Sequence, residues 1–121
     1  MKVNTSMTKA KVNQKPTLMA ENRLKLPKTL TGIEGLDEIT GGGLPKGRAS
    51  LICGGTGTGK TLLAMEFLLR GAMQYNEPGV FMAFEESTND LIANVASIGF
   101  DLDGLITSKK IVVDFVYIRS I

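Results

Sequence analysis

The string Gly54-Gly55-Thr56-Gly57-Thr58-Gly59-Lys60-Thr61 satisfies the phosphate-loop (Walker A) pattern G-x-x-x-x-G-K-[ST] without substitution. No other feature constrains the chain so strongly, because each residue type there has a mechanical task. Glycines let backbone N–H groups converge on an anion without side-chain clash. A helix opening at Lys60 aims the positive end of its dipole at the same point. A strand must precede such a loop and a helix must follow it, and the sequence offers both. Ala49 to Cys53 is a short apolar run that reads as a buried strand. Lys60 to about Tyr75 reads as a mostly buried helix, polar only around Glu66, Arg70 and Gln74. On this reading Lys60 neutralises the β- and γ-phosphates of a nucleotide and the Thr61 hydroxyl ligates Mg²⁺. The structural alternative is a plain glycine-rich turn beside a helix cap.

The remaining segments read as further strands and helices. Pro78-Gly79 breaks the chain, and Val80 to Phe84 is a continuous apolar strand, as expected inside a parallel sheet covered on both faces. Ser87-Thr88-Asn89-Asp90 resembles a cap, starting a helix that runs to about Ile98 and stops at Gly99. A polar stretch, Asp101 to Lys110, precedes a third strand from Ile111 to about Tyr117. Upstream, Thr31-Gly-Ile-Glu34 reads as a capping box opening a short helix, roughly Ile33 to Ile39. Gly41-Gly42-Gly43 stops it, and Leu44-Pro45-Lys46-Gly47 reads as a turn feeding the strand before the phosphate loop. Strands alternating with helices at this spacing predict βαβ units and an α/β fold with a parallel sheet flanked by helices.

In such a sheet, ligands bind beyond the carboxyl ends of the strands. Glu85 and Glu86 stand just past that end of the second strand. One carboxylate there could orient or deprotonate an attacking water; the bland reading is two solvated charges. Asp114 follows Ile111-Val112-Val113 and superficially resembles a Mg²⁺-supporting Walker B aspartate. The apolar run continues past it, however, which places it inside the strand rather than at the tip. Cys53 reads as a small buried filler and the six methionines as core residues.

Composition narrows the chemistry further. The 121 residues include no His, and Cys53 is the single cysteine. That excludes a Ser-His-Asp triad, a Cys-His pair, a His-ligated metal and an internal disulfide. Residues 1–28 hold seven basic side chains against Glu21 alone, while 29–121 hold seven against eleven acidic ones. The first stretch reads as a basic, disordered tail, and the rest as one partial domain. Such an arm could also meet nucleic acid or an anionic lipid. It lacks the apolar segment of a secretory signal, though an organelle transit peptide stays compatible. Nothing approaches the ~18 apolar residues of a membrane span. The lone thiol fits a reducing, cytoplasmic location.

Three segments together carry a family resemblance. They are Leu30-Thr-Gly-Ile-Glu-Gly-Leu-Asp37 with its continuation to Arg48, the phosphate loop, and Glu77-Pro-Gly-Val-Phe-Met-Ala-Phe-Glu-Glu86. Over about residues 29–118 the chain resembles the KaiC family of RecA-like ATPases. The resemblance implies a RecA-like P-loop fold, of which this chain offers the N-terminal part of the core only. It implies ATP and Mg²⁺ as cofactors, slow ATP hydrolysis, assembly as ATP-bound hexamers and, in circadian clock members, serine/threonine autophosphorylation. By the same resemblance Gly57, Thr58, Gly59, Lys60, Thr61 and Leu62 hold the phosphates, Thr61 holds Mg²⁺, Glu85 and Glu86 are the catalytic carboxylates, and Ser97 lies near the nucleotide. The family's intersubunit cation and autophosphorylated positions have no counterpart in these 121 residues. About three strands with an uncovered edge predict marginal stability and a tendency to associate. Two other functional classes remain open on the sequence: a non-catalytic nucleotide-binding assembly module, and a RecA- or helicase-like DNA-dependent ATPase.

Overall fold

The computed structural model describes residues 26–119. Most of the basic stretch read as a tail, residues 1–25, lies outside the described residues, as do Ser120 and Ile121. The elements run β1 (Lys28–Thr29), α1 (Leu36–Ile39), β2 (Leu44–Pro45), α2 (Lys60–Gln74), β3 (Gly79–Ala83), α3 (Thr88–Ala96), α4 (Leu102–Thr107) and β4 (Ile111–Phe115). Lys28 therefore belongs to a strand: β1 and β2 form a two-residue antiparallel ladder.

The larger unit is β3–α3–α4–β4 with α2 packed against it. β3 and β4 are parallel, in register from Gly79 opposite Ile111 to Ala83 opposite Phe115. Period-two alternation sends Gly79, Phe81 and Ala83 toward the helices and Val80 and Met82 away from them. The core is Met65, Leu69 and Ala72 from α2, Ala83 from β3, Leu91 and Val95 from α3, Leu102 from α4 and Ile111 from β4. Full burial of each larger side chain among these stabilises the fold by about 1.5–3 kcal/mol.

Local chemistry sets the helix ends. The Ser87 hydroxyl accepts from the Asp90 amide, as the sequence suggested. At the other end Gly99, with φ of 89°, lets Phe100 N–H reach back to the Val95 carbonyl at 3.1 Å, a Schellman closure. Arg70 pairs with Glu66 at 2.7 Å and lies 5.4 Å over the Phe100 ring, joining α2 to the turn after α3.

Several expectations are corrected. Asp101–Lys110 is not a plain polar connection, since α4 lies within it, capped by Asp101 accepting from Gly104 N–H at 2.9 Å. Ala49 to Cys53 forms no strand and is exposed, Leu51 to 89%. A strand needs a neighbour for its backbone groups, and β3 and β4 bond to each other only. Cys53 is accordingly exposed rather than buried. The sheet is covered on one face, because α2, α3 and α4 all pack on the same side. Val80, Met82, Phe84 and Val112 are each more than half exposed. Of the described methionines only Met65 is in the core, and Met73 and Met82 face solvent; Met1, Met7 and Met19 lie outside the described residues.

The expected capping box at Thr31 and Glu34 is replaced by a different lock. α1 starts only at Leu36, with Gly35 as an N-cap that makes no side-chain bond. Thr31, 1% exposed, instead donates its hydroxyl to Asp37 Oδ1 at 2.6 Å and accepts from Ile33 N–H at 3.1 Å. Asp37 also accepts from the Thr31 and Gly32 amides at 2.9 and 3.0 Å. Gly32, with φ of 74°, backs onto α2. A Cβ there would lie 2.8 Å from Gln74 Oε1 and 3.1 Å from Arg70 Cβ, so the lock is seated on the helix that follows the phosphate loop.

Candidate functional site

The loop 54–59 is shaped by its glycines and by two side chains folded onto its carbonyls. Gly57 and Gly59 take φ of 76° and 89°, and Gly59 caps α2 in the left-handed conformation. A Cβ at Gly55, Gly57 or Gly59 would meet nothing within 4 Å, so the space over the loop is open. The Thr58 hydroxyl donates to the Gly55 carbonyl at 2.8 Å. The Lys60 ammonium donates to the carbonyls of Gly54 and Gly55 at 2.6 and 2.7 Å. The first N–H groups of α2, from Lys60 onward, have no partner within the helix and point out of its end.

This end of α2 opens into a cavity of about 640 Å³. Thr56 through Leu62 form one wall, Glu85, Glu86, Asn94 and Ser97 the other, and Met65, Leu91 and Val95 an apolar floor. The parallel register of the sheet explains the meeting: β3 runs out at Ala83, so Glu85 and Glu86 emerge at its carboxyl end, beside the start of α2. A smaller cavity of about 270 Å³ joins Thr61 to the same strand end, including both glutamates. One wall is therefore cationic and rich in N–H donors, and the other carries two carboxylates.

Most of the residues singled out from the sequence thus converge. Thr56, Gly57, Thr58, Gly59, Lys60, Thr61, Leu62, Glu85, Glu86 and Ser97 share the main cavity. Gly54 lines a separate cavity of about 540 Å³ with Cys53 and Glu66, and Gly55 turns its carbonyl to Lys60. Asp114 pairs across the sheet with Met82, exposed and inside β4, and does not line the main cavity.

One contributor to the cavity escaped the sequence reading. Asn94 Nδ2 donates to Glu86 Oε2 at 3.3 Å. The signal for it was helical phase: once Ser87 caps α3, Leu91 and Val95 fall on the buried stripe and Asn94 beside them. Outside the cavity, the Asp37 carboxyl is held below its ordinary value of 3.8, first by the Thr31 hydroxyl and then by the Thr31 and Gly32 amides. It lies in the lock against α2, away from the cavity lining.

A family model described as the KaiC ATPase matches residues 29–119. The chain belongs to the KaiC ATPase family. It is 55% identical over 97 residues to circadian clock protein KaiC2 of Synechocystis, a match covering 80% of this chain and 17% of that protein. It is 54% identical over 81 residues to circadian clock oscillator protein KaiC of Parathermosynechococcus lividus, covering 67% and 15% respectively. The KaiC of Prochlorococcus marinus is 46% identical over 90 residues, 74% of this chain and 18% of that one. The chain thus spans less than a fifth of the length of these relatives. Membership in the KaiC family implies a RecA-like P-loop core, to which the described residues contribute helices and a two-stranded parallel sheet. It also implies nucleotide and metal use in general terms. Among the described residues no helix is long and apolar enough to cross a membrane.

Proposed function

We propose that this chain carries the Mg²⁺-ATP site of a KaiC-type ATPase and that its reaction is hydrolysis of the γ-phosphate. The observation that carries the reading is the single cavity in which the start of α2 faces Glu85 and Glu86. The residues fit the ligand: an open, glycine-lined cradle of N–H donors, a lysine and a threonine hydroxyl match a polyphosphate in charge and size. Among the described residues no cluster of three or more His, Cys, Asp or Glu could hold a metal alone. A divalent ion held by Thr61 would therefore draw its other ligands from phosphate and water, the usual habit of Mg²⁺. When bound there it supplies charge neutralisation across the β- and γ-phosphates.

The chain's own groups then divide the work. Amides of residues 56–62 and the Lys60 ammonium hold the phosphates, and the Thr61 hydroxyl ligates the metal. A carboxylate of the Glu85–Glu86 pair orients a water and accepts its proton. The water oxygen bonds to the γ-phosphorus, the bridging P–O bond breaks, and ADP leaves with the electron pair. Transfer to a protein serine or threonine is the same step with a hydroxyl in place of water. Hexameric assembly and a clock or signalling role are part of this proposal by family likeness.

The test is calorimetric titration of the full chain with Mg²⁺-ATP, followed by phosphate release. Lys60→Ala removes charge-assisted bonds to phosphate together worth about 3 kcal/mol, offset by the two carbonyl bonds that Lys60 gives up on binding, so it should weaken binding by at most roughly 150-fold. Glu85→Gln with Glu86→Gln should keep binding and abolish release. A folded chain that binds no Mg²⁺-ATP, or binds it equally well without Lys60, refutes the site. Binding without turnover refutes the hydrolase and leaves a nucleotide-binding assembly module.

A further inference from the structure

The two glutamates are chemically alike but differently held. Glu86 is half-buried and accepts from Asn94, whereas Glu85 is exposed and, among the described residues, accepts no side-chain hydrogen bond. Asn94 is exposed, but the helix backbone that carries it is fixed in rotation. Its neighbours on α3, Leu91 and Val95, are 1% and 0% exposed in the core, which fixes the rotation of the helix. Its backbone carbonyl accepts from the Ser97 hydroxyl at 2.5 Å in the last turn. At the other end α3 begins at the Ser87 cap, immediately after Glu86. The Asn94 amide therefore reaches back across about one and a half turns of a fixed helix to the carboxylate that precedes that helix.

We propose that Asn94 is a positioning residue for the ATPase: it holds Glu86 Oε2 against α3 and leaves Oε1 turned to the cavity. The inference rests on the hydrolase reading above. A carboxylate on a three-torsion side chain spreads over several staggered rotamers. A donor carried by a rigid element selects one of them, and the selection acts on rate more than on substrate affinity. Glu85, lacking such a donor, is left to move with its substrate. The phosphate loop makes the ground-state contacts, so loss of the Asn94 donor should leave ATP affinity alone.

Two measurements on the full chain test the role. In the first, the side-chain amide signal of Asn94 is followed by NMR. Glu86→Gln should shift it and Glu85→Gln should not; no shift with Glu86→Gln, or equal shifts from both, overturns the pairing. In the second, Asn94→Asp and Asn94→Leu are compared with wild type for phosphate release, with Asn89→Asp, an exposed site on the same helix, as control. Both Asn94 variants should lower kcat roughly tenfold while KM for ATP stays within about twofold, the size expected for a group acting through another. Unchanged kcat, or a KM rise that accounts for the whole loss, overturns the role while leaving the hydrolase reading intact. A wild-type chain that binds ATP without turnover overturns that reading and the positioning role with it.

Discussion

Thr31→Val is the most informative change available in the signature segment. Valine has the shape of threonine, and position 31 is 1% exposed, so the cavity term is small. Two bonds are lost: donation to Asp37 Oδ1 at 2.6 Å and acceptance from Ile33 N–H at 3.1 Å. Water can reach the Asp37 carboxylate and replace most of the first. The part-buried Ile33 amide is left without its acceptor, and that term dominates. Together they set the loss at about 2 kcal/mol, after a small gain from the added methyl group. With an m-value near 1.5 kcal/mol per M of urea, roughly what a domain of this size shows, the midpoint should fall by about 1.3 M. The assay is urea unfolding followed by far-UV circular dichroism, with hydrogen exchange at the Ile33 amide as the local probe. Thr31→Ser keeps the hydroxyl and should keep the exchange protection, losing only methyl packing. If Thr31→Val and Thr31→Ser fall by the same amount and protect Ile33 equally, the lock is not what holds the segment.

Three further outcomes rest on the same lock, the core and the open sheet face. Asp37 has a folded pKa below its unfolded one, so its contribution is complete above the ordinary value of 3.8 and is lost as pH falls through the folded value. The gap between the urea midpoints of wild type and Thr31→Val should therefore narrow in acid by the Asp37 share and keep the larger Ile33 share; a gap that widens as pH falls would contradict the assignment. Leu91→Ala, at a core position 1% exposed, should cost about 3 kcal/mol. Val80→Lys, on the uncovered sheet face, should change stability by less than about 0.5 kcal/mol and lower dye binding and self-association. Equal losses from the two variants would mean that the uncovered face is packed in solution.

How much could be read from the sequence follows from how local each determinant is. The helix after the phosphate loop, the strand ending at the glutamates and the Ser87 cap were legible because their causes lie within a few residues. So was the stop at Gly99. α4 is hidden in the sequence although Asp101 and Gly104 form a cap and its N–H donor three residues apart; the short run Leu102–Thr107 contains a glycine and sits among charges, which masks the helical period. The opposite holds at Ala49 to Cys53, where an apolar run reads as a strand and forms none. Whether such a run becomes one depends on neighbours elsewhere in the chain, and here β3 and β4 satisfy each other. At the cavity the chemistry-bearing residues were all visible in the sequence, but the unequal support of the two glutamates was not. It depends on Asn94, eight positions downstream, and on the phase of a helix fixed by its buried stripe.

The lysine folded over its own loop has a thermodynamic consequence. Lys60 already makes two short bonds to the carbonyls of Gly54 and Gly55. A phosphate entering the cradle meets an ammonium in use, and binding exchanges one set of acceptors for another. Truncating the lysine therefore disturbs both sides of the equilibrium: the free loop loses its brace and the bound loop loses its counter-charge. A measured change in affinity reports the difference between these losses. The loosening of the unliganded loop should show separately, as faster amide exchange over residues 54–59 before any nucleotide is added.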